Sequence, residues 1–267
     1  MAKVGIAVIH GMGSQKKGFE RPMVEELTNR LAKLGVGQSD VAWEPIYWAN
    51  VTEPRQMEYF KDADRDGDLD WKKLRKFVLT ALGDASGYRK TGDTKNDIYD
   101  AIHAIVGQAL AQLSKQVSSP NAPLIWIAHS LGGHIMSNYI YDTQKSVTAG
   151  KLKNKSKFER LETLRGILTF GCNIPLFTFA YRKSEVKPIK LPRGAVWDNY
   201  YDPDDVLGYP LKPISAAYNK TVRSDFSINS GGIATSWTPL SHNGYWTDND
   251  FTKPAAQFIA DIVNAAP

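Results

Sequence analysis

Short apolar runs alternate with longer segments of helical periodicity along most of the chain. Residues 4–9 (VGIAVI) are apolar without a break and end in a glycine-rich turn, the pattern of a buried parallel strand. An amphipathic helix is predicted over 21–34 and a second strand over 41–48. Residues 53–119 read as mostly helical, with Leu74, Phe77, Val78 and Leu82 on one apolar face. Ile98, Ile102, Ile105, Val106, Ala109 and Leu113 form another such face. Pro120 and Pro123 stop that helix before a third strand, 124–128 (LIWIA). A helix over 131–147 follows, then a lysine-rich loop, strands over 164–171 and 195–201, a further candidate strand over 221–228, and a terminal helix over 253–265. Strand alternating with helix predicts an α/β fold, a mostly parallel central sheet with helices on both faces. No repeat or long linker divides the chain. The expected organisation is therefore one domain, 1–267, with a helical insertion at about 50–120 as a possible cap.

Composition narrows the function class. Hydrophobic residues make up 42% of the chain and charged residues 23%, as in a globular protein with a core large enough to shelter a pocket. The net charge of +5 raises the question of nucleic acid. The densest basic cluster, 151–157 (KLKNKSK), reads as a solvated loop, however, and no nucleic-acid motif accompanies it. The first apolar run is too short for a signal peptide, and no segment approaches a membrane span. A single cysteine, Cys172, excludes an internal disulfide. A cytoplasmic protein is the expectation.

The chemistry centres on 127–134 (IAHSLGGH), where a strand meets a helix. A serine hydroxyl becomes a useful nucleophile when a tight turn lifts it clear of the backbone. Such a turn needs small residues two before and two after the serine. Ala128 and Gly132 meet that need around Ser130. The segment resembles the G-x-S-x-G nucleophile turn of α/β-hydrolase serine enzymes of the lipase and esterase kind, with alanine in place of the first glycine. The competing reading is a serine that caps a helix.

That resemblance implies the remaining parts. A His-Gly turn after an early strand supplies an oxyanion amide, which here points to Met12 or, second, Gly11 in His10-Gly11-Met12-Gly13. Leu131, the residue after the serine, supplies the other amide. The same glycines fail both the Walker spacing and the dinucleotide pattern. The family order is serine, acid, histidine, and beyond the serine turn the eligible base is His242, in a segment that resembles the His-x-x-Tyr/Trp turn of lipase-like enzymes. Three aspartates compete for the acid: Asp205 first, because Asp205-Val206-Leu207 fits the family pattern, then Asp202, then Asp204. The stretch 208–213 (GYPLKP) also resembles the loop after the acid in intracellular phospholipase-like proteins.

Residues 62–73 (DADRDGDLDWKK) resemble an EF-hand loop, with Asp62, Asp64, Asp66, Asp68 and Asp70 as oxygen donors. Lys73 stands where a bidentate glutamate belongs, and an acidic turn between helices is the preferred reading. No cofactor is required; a structural Ca²⁺ is the minority reading. The expected activity is cleavage of a small-molecule or lipid carboxylic ester. Thioester cleavage and acyl transfer use the same parts, and a non-catalytic binding or scaffold protein of the same fold is the rival.

Overall fold

A computed structural model describes residues 1–91, 98–230 and 241–266. Six strands among these residues form one sheet: β1 (Val4–Ile9), β2 (Val41–Ile46), β3 (Leu124–His129), β4 (Leu164–Phe170), β5 (Val196–Tyr201) and β6 (Ser224–Ser227). Their spatial order is β2-β1-β3-β4-β5-β6, and each neighbouring pair is parallel. β1 and β3 are buried along their whole length, which is why both read as unbroken apolar runs rather than alternating ones.

Among the described residues seven helices accompany the sheet: α1 (Arg21–Lys33), α2 (Glu53–Gly67), α3 (Lys72–Gly87), α4 (Ile98–Gln116), α5 (Leu131–Thr148), α6 (Ala216–Thr221) and α7 (Asn249–Ala265). Prolines at the first helical positions start α1 and α2, where no backbone donor is lost. The Asp248 side chain caps α7 by accepting from the Asp250 amide.

Two apolar layers result from the alternation of side chains along the strands. Val4, Ile6, Val8, Ile125 and Ile127 pack against Met23, Leu27 and Leu31 of α1 and Phe251, Ile259 and Val263 of α7. Ala7, Ile9, Trp126 and Ala128 face the other way, toward Ile102, Val106 and Leu110 of α4 and Ile135, Met136 and Ile140 of α5. The fold class expected from the pattern is the one observed. Within the helical stretch at 50–120, α4 belongs to the sheet's own cover, whereas α2 and α3 form an outlying hairpin. Among the described residues no helix is long and apolar enough to cross a membrane.

Two expectations change. The stretch 221–228 contains the short α6 end and then β6, not one strand. On α3 the predicted core face is turned outward: Leu74, Val78 and Leu82 are exposed, while Thr80, Ala81 and Asp84 are buried. Helical periodicity marks an apolar stripe without saying whether a partner covers it. Truncating Leu27 to Ala should therefore cost about 2–5 kcal/mol, whereas Leu82→Ala should stay within about 0.5 kcal/mol. Urea unfolding of both variants checks the contrast; equal losses would put the Leu82 face back in the core.

Candidate active site

The sheet reverses its winding between β1 and β3. β1 runs into α1 on one face and β3 into α5 on the other, so a crevice opens at their carboxyl ends. Ile9 pairs with Ala128 in that register, which carries His10 and Gly11 beside His129 and Ser130. A side-chain carbon on Gly11 would lie 2.5 Å from Ser130 Cβ, and one on Gly132 would lie 2.5 Å from the His10 carbonyl oxygen. Both positions require glycine because the opposing atoms are the turns themselves.

Ser130 occupies φ 53°, ψ −126°, a conformation that an L-residue adopts only under constraint. Its amide donates to the Phe170 carbonyl at 3.1 Å, and its carbonyl accepts from Gly133 at 3.0 Å. These bonds fix the turn from β4 and from α5.

Three side chains from separate turns and loops meet here: Ser130 after β3, Asp205 after β5, and His242 in the turn Ser241–Thr247 before α7. Ser130 Oγ lies 2.7 Å from His242 Nε2, across 112 residues of sequence. His242 Nδ1 lies 2.8 Å from Asp205 Oδ2. A carboxylate accepts only, so Nδ1 carries the proton and Nε2 is left to accept from the serine hydroxyl. Ser130, Asp205 and His242 are all buried. Burial pushes the Asp205 carboxyl up, but the bond and charge of His242, the Leu207 amide and the Tyr245 hydroxyl outweigh it and hold the group below its usual range.

The other aspartates have different partners. Asp202 accepts from the Asp204 amide at 2.9 Å and from the Ser230 amide at 2.6 Å, so it ties the loop after β5 to the segment after β6. Asp204 is exposed. The preference for Asp205 over Asp202 thus coincides with the carboxylate that faces the imidazole. Among the described residues, neither the Met12 amide nor the Leu131 amide has an acceptor in the protein. The Gly11 position borders Ser130 directly. Residues 237–240 of the histidine segment lie outside the described residues.

Three neighbours lie within the quoted motifs, but their contacts here were not read from the sequence. The Tyr245 hydroxyl donates to Asp205 Oδ2 at 2.9 Å and accepts from the Asp202 amide at 2.8 Å. His129 Nε2 donates to the His242 carbonyl at 2.8 Å, pinning the backbone that carries the imidazole. His10 accepts from the Trp48 amide through Nε2 at 3.1 Å, so its Nδ1–H donates to the Gly11 carbonyl at 2.7 Å. Burial pushes His10 down to about 4, and His129 lies well below its ordinary value, mainly through burial and the nearby His242.

The acidic stretch 62–73 spans the end of α2, the turn after it and the start of α3. α2 continues to Gly67, so Asp62, Asp64 and Asp66 are spread along a helix, and Asp68 ends it in the left-handed region. Arg65 pairs with Asp62 and Asp66, and Lys72 with Asp64. Asp70 lies in the turn between α2 and α3. Among the described residues no group of three or more potential ligands gathers to hold a metal ion.

No protein-family model and no curated protein matches the chain in sequence. Among solved structures it is similar to dienelactone hydrolase from Anabaena variabilis, with 13% identity, a TM-score of 0.43, and coverage of 99% of this chain and 87% of that one. It is also similar to a protein assigned to the α/β superfamily of hydrolases from Xanthomonas campestris, with 10% identity, a TM-score of 0.40, and coverage of 95% and 98%. Among the described residues the sheet is wholly parallel, and Ser130 stands at a strand-to-helix turn at its carboxyl end.

His129 yields a prediction of pH dependence. A depressed imidazole pKa means that the unfolded chain takes up a proton near pH 6.5 that the native state refuses, so native stability falls as pH drops below that value. Between pH 7 and 5 this loss amounts to about 2 kcal/mol for one such group. His129→Gln keeps an N–H donor for the His242 carbonyl but cannot titrate. Urea unfolding at the two pH values should show the variant losing about 2 kcal/mol less than wild type; equal losses would mean that His129 is protonated in the folded protein.

Proposed function

We propose that this protein is a serine hydrolase that cleaves a carboxylic ester through an acyl-enzyme on Ser130. The observation that carries the proposal is the unbroken relay from Ser130 Oγ through His242 to Asp205, at 2.7 and 2.8 Å, beside two amides that have no acceptor among the described residues. In this reading His242 Nε2 takes the serine proton as Oγ attacks the ester carbonyl. Asp205 holds the imidazole in the required tautomer and stabilises the imidazolium.

The amides of Met12 and Leu131 receive the developing oxyanion, and each such donor contributes a few kcal/mol to the transition state. His242 then protonates the departing alcohol. Water, deprotonated by the same imidazole, attacks the acyl-enzyme, and collapse of the second tetrahedral intermediate returns the proton to Ser130 and frees the acid. A small-molecule or lipid ester is the proposed substrate class. Ser130 is buried, so acylation also requires part of the shell above it to move aside.

A fluorophosphonate probe should label wild type and leave Ser130→Ala unlabelled; an unlabelled wild type, or equal labelling of both, would sink the hydrolase reading. On a p-nitrophenyl ester, Asp205→Asn should lower kcat by about 10³- to 10⁴-fold, because the imidazole then loses its tautomer control. Asp202→Asn should change kcat by less than about 10-fold, since that side chain serves the loop. The reverse ranking would move the acid to Asp202.

A further inference from the structure

Asp84 lies on the buried face of α3, 71 residues from the turn after β1, and only 1% of it is exposed. Its Oδ2 accepts the Gly13 amide at 2.8 Å. Its Oδ1 accepts Gln56 Nε2, from α2, at 2.7 Å. Both carboxylate oxygens are thus matched to donors, and Thr80 Oγ1 closes the space beside Gly13, where a side-chain carbon would meet it at 3.8 Å. Burial raises the pKa of this carboxyl, so its place on an otherwise outward-turned hairpin carries an electrostatic cost.

The geometry of the turn shows what that cost sustains. The Gly11 carbonyl and the Met12 amide share one rigid peptide plane, and His10 holds that plane through the Gly11 oxygen at 2.7 Å. The next plane contains the Gly13 amide, and Asp84 holds it. Gly13 itself sits at φ +90°, a conformation that most residues would resist. With both flanking planes fixed, the direction of the Met12 N–H is fixed as well. Without Asp84 the second plane is free to rotate, and Met12 loses one of its two anchors.

We propose that Asp84 is a positioning residue for the oxyanion turn, through which the α2–α3 hairpin sets the aim of the Met12 amide; this rests on the hydrolase reading above. The role requires an acceptor oxygen at position 84, not a charge. Asp84→Asn preserves it, because the new carboxamide oxygen can accept from Gly13 and its NH₂ can donate to a turned Gln56 amide. Asp84→Leu fills similar space and offers no acceptor.

The test measures kcat and KM on a p-nitrophenyl ester, inhibition by an alkyl trifluoromethyl ketone, and melting temperature for wild type and these two variants. The ketone forms a tetrahedral oxyanion adduct with the serine, so its affinity reports the oxyanion site directly. Asp84→Leu should lower kcat about 10- to 100-fold with KM within about 3-fold, and weaken the ketone by a similar factor. Asp84→Asn should stay within about 3-fold of wild type on all three. A folded Asp84→Leu with wild-type kcat and ketone affinity overturns the proposal. If Asp84→Leu does not fold, Asp84→Asn decides, and a loss of kcat or ketone affinity there overturns it too. A wild type that neither turns over ester nor takes a fluorophosphonate label removes the hydrolase reading itself, an outcome separable from any Asp84 result.

Discussion

The structure depends on one close approach, between the turn that leaves β1 and the turn that leaves β3. Gly11 faces Ser130, and Gly132 faces the carbonyl of His10, at separations that admit no side chain. Ser130 is held in a backbone conformation costing on the order of 1–3 kcal/mol. It persists because neighbours on both sides over-determine it: a bond from its amide to β4 and one to its carbonyl from α5. Among the described residues the Met12 and Leu131 amides beside this approach have no acceptor. The crowding that strains the Ser130 turn thus lies next to the donors that the proposed mechanism uses.

Charge is distributed with comparable economy around that approach. Three imidazoles crowd the site, and each faces something different. His10 and His129 each donate an N–H to a backbone carbonyl. Burial, which penalises the charged ring, holds both pKa values down. His242 faces Asp205, whose charge is itself stabilised by the Leu207 amide and the Tyr245 hydroxyl. In the proposed mechanism a proton leaving Ser130 thus has a single compensated destination among these imidazoles.

The sequence made the sheet legible because buried parallel strands read as short apolar runs, and five of the six stand close to their predicted places. The serine turn was legible because small residues flank the serine two positions before and two after, and His242 because few histidines follow the serine. Other features depend on pairings across the fold. Asp84 and Gly13 are 71 residues apart, and nothing local distinguishes Asp84 from a solvated aspartate. Tyr245 holds the Tyr position of the His-x-x-Tyr/Trp turn, but its bond to Asp205, 40 residues away, is visible only in the fold. Local pattern failed most clearly on α3, whose apolar stripe faces outward while its polar residues serve the turn. At 62–73 the spacing of aspartates suggested a loop, but Arg65 and Lys72 pair with those carboxylates along a helix.

The departure from the usual serine motif has a physical explanation in this geometry. The two small positions around Ser130 are not equivalent. Ala128 is still within β3, between Ile9 and Thr169, and its methyl group joins the apolar layer that α4 and α5 cover. A glycine there would remove core contacts and add backbone freedom to a buried strand. Gly132 has left the strand and lies against the β1 turn, where even a methyl group would press on backbone. Alanine before the serine and glycine after it are what these two environments separately demand, so the altered motif marks the same turn as the unaltered one.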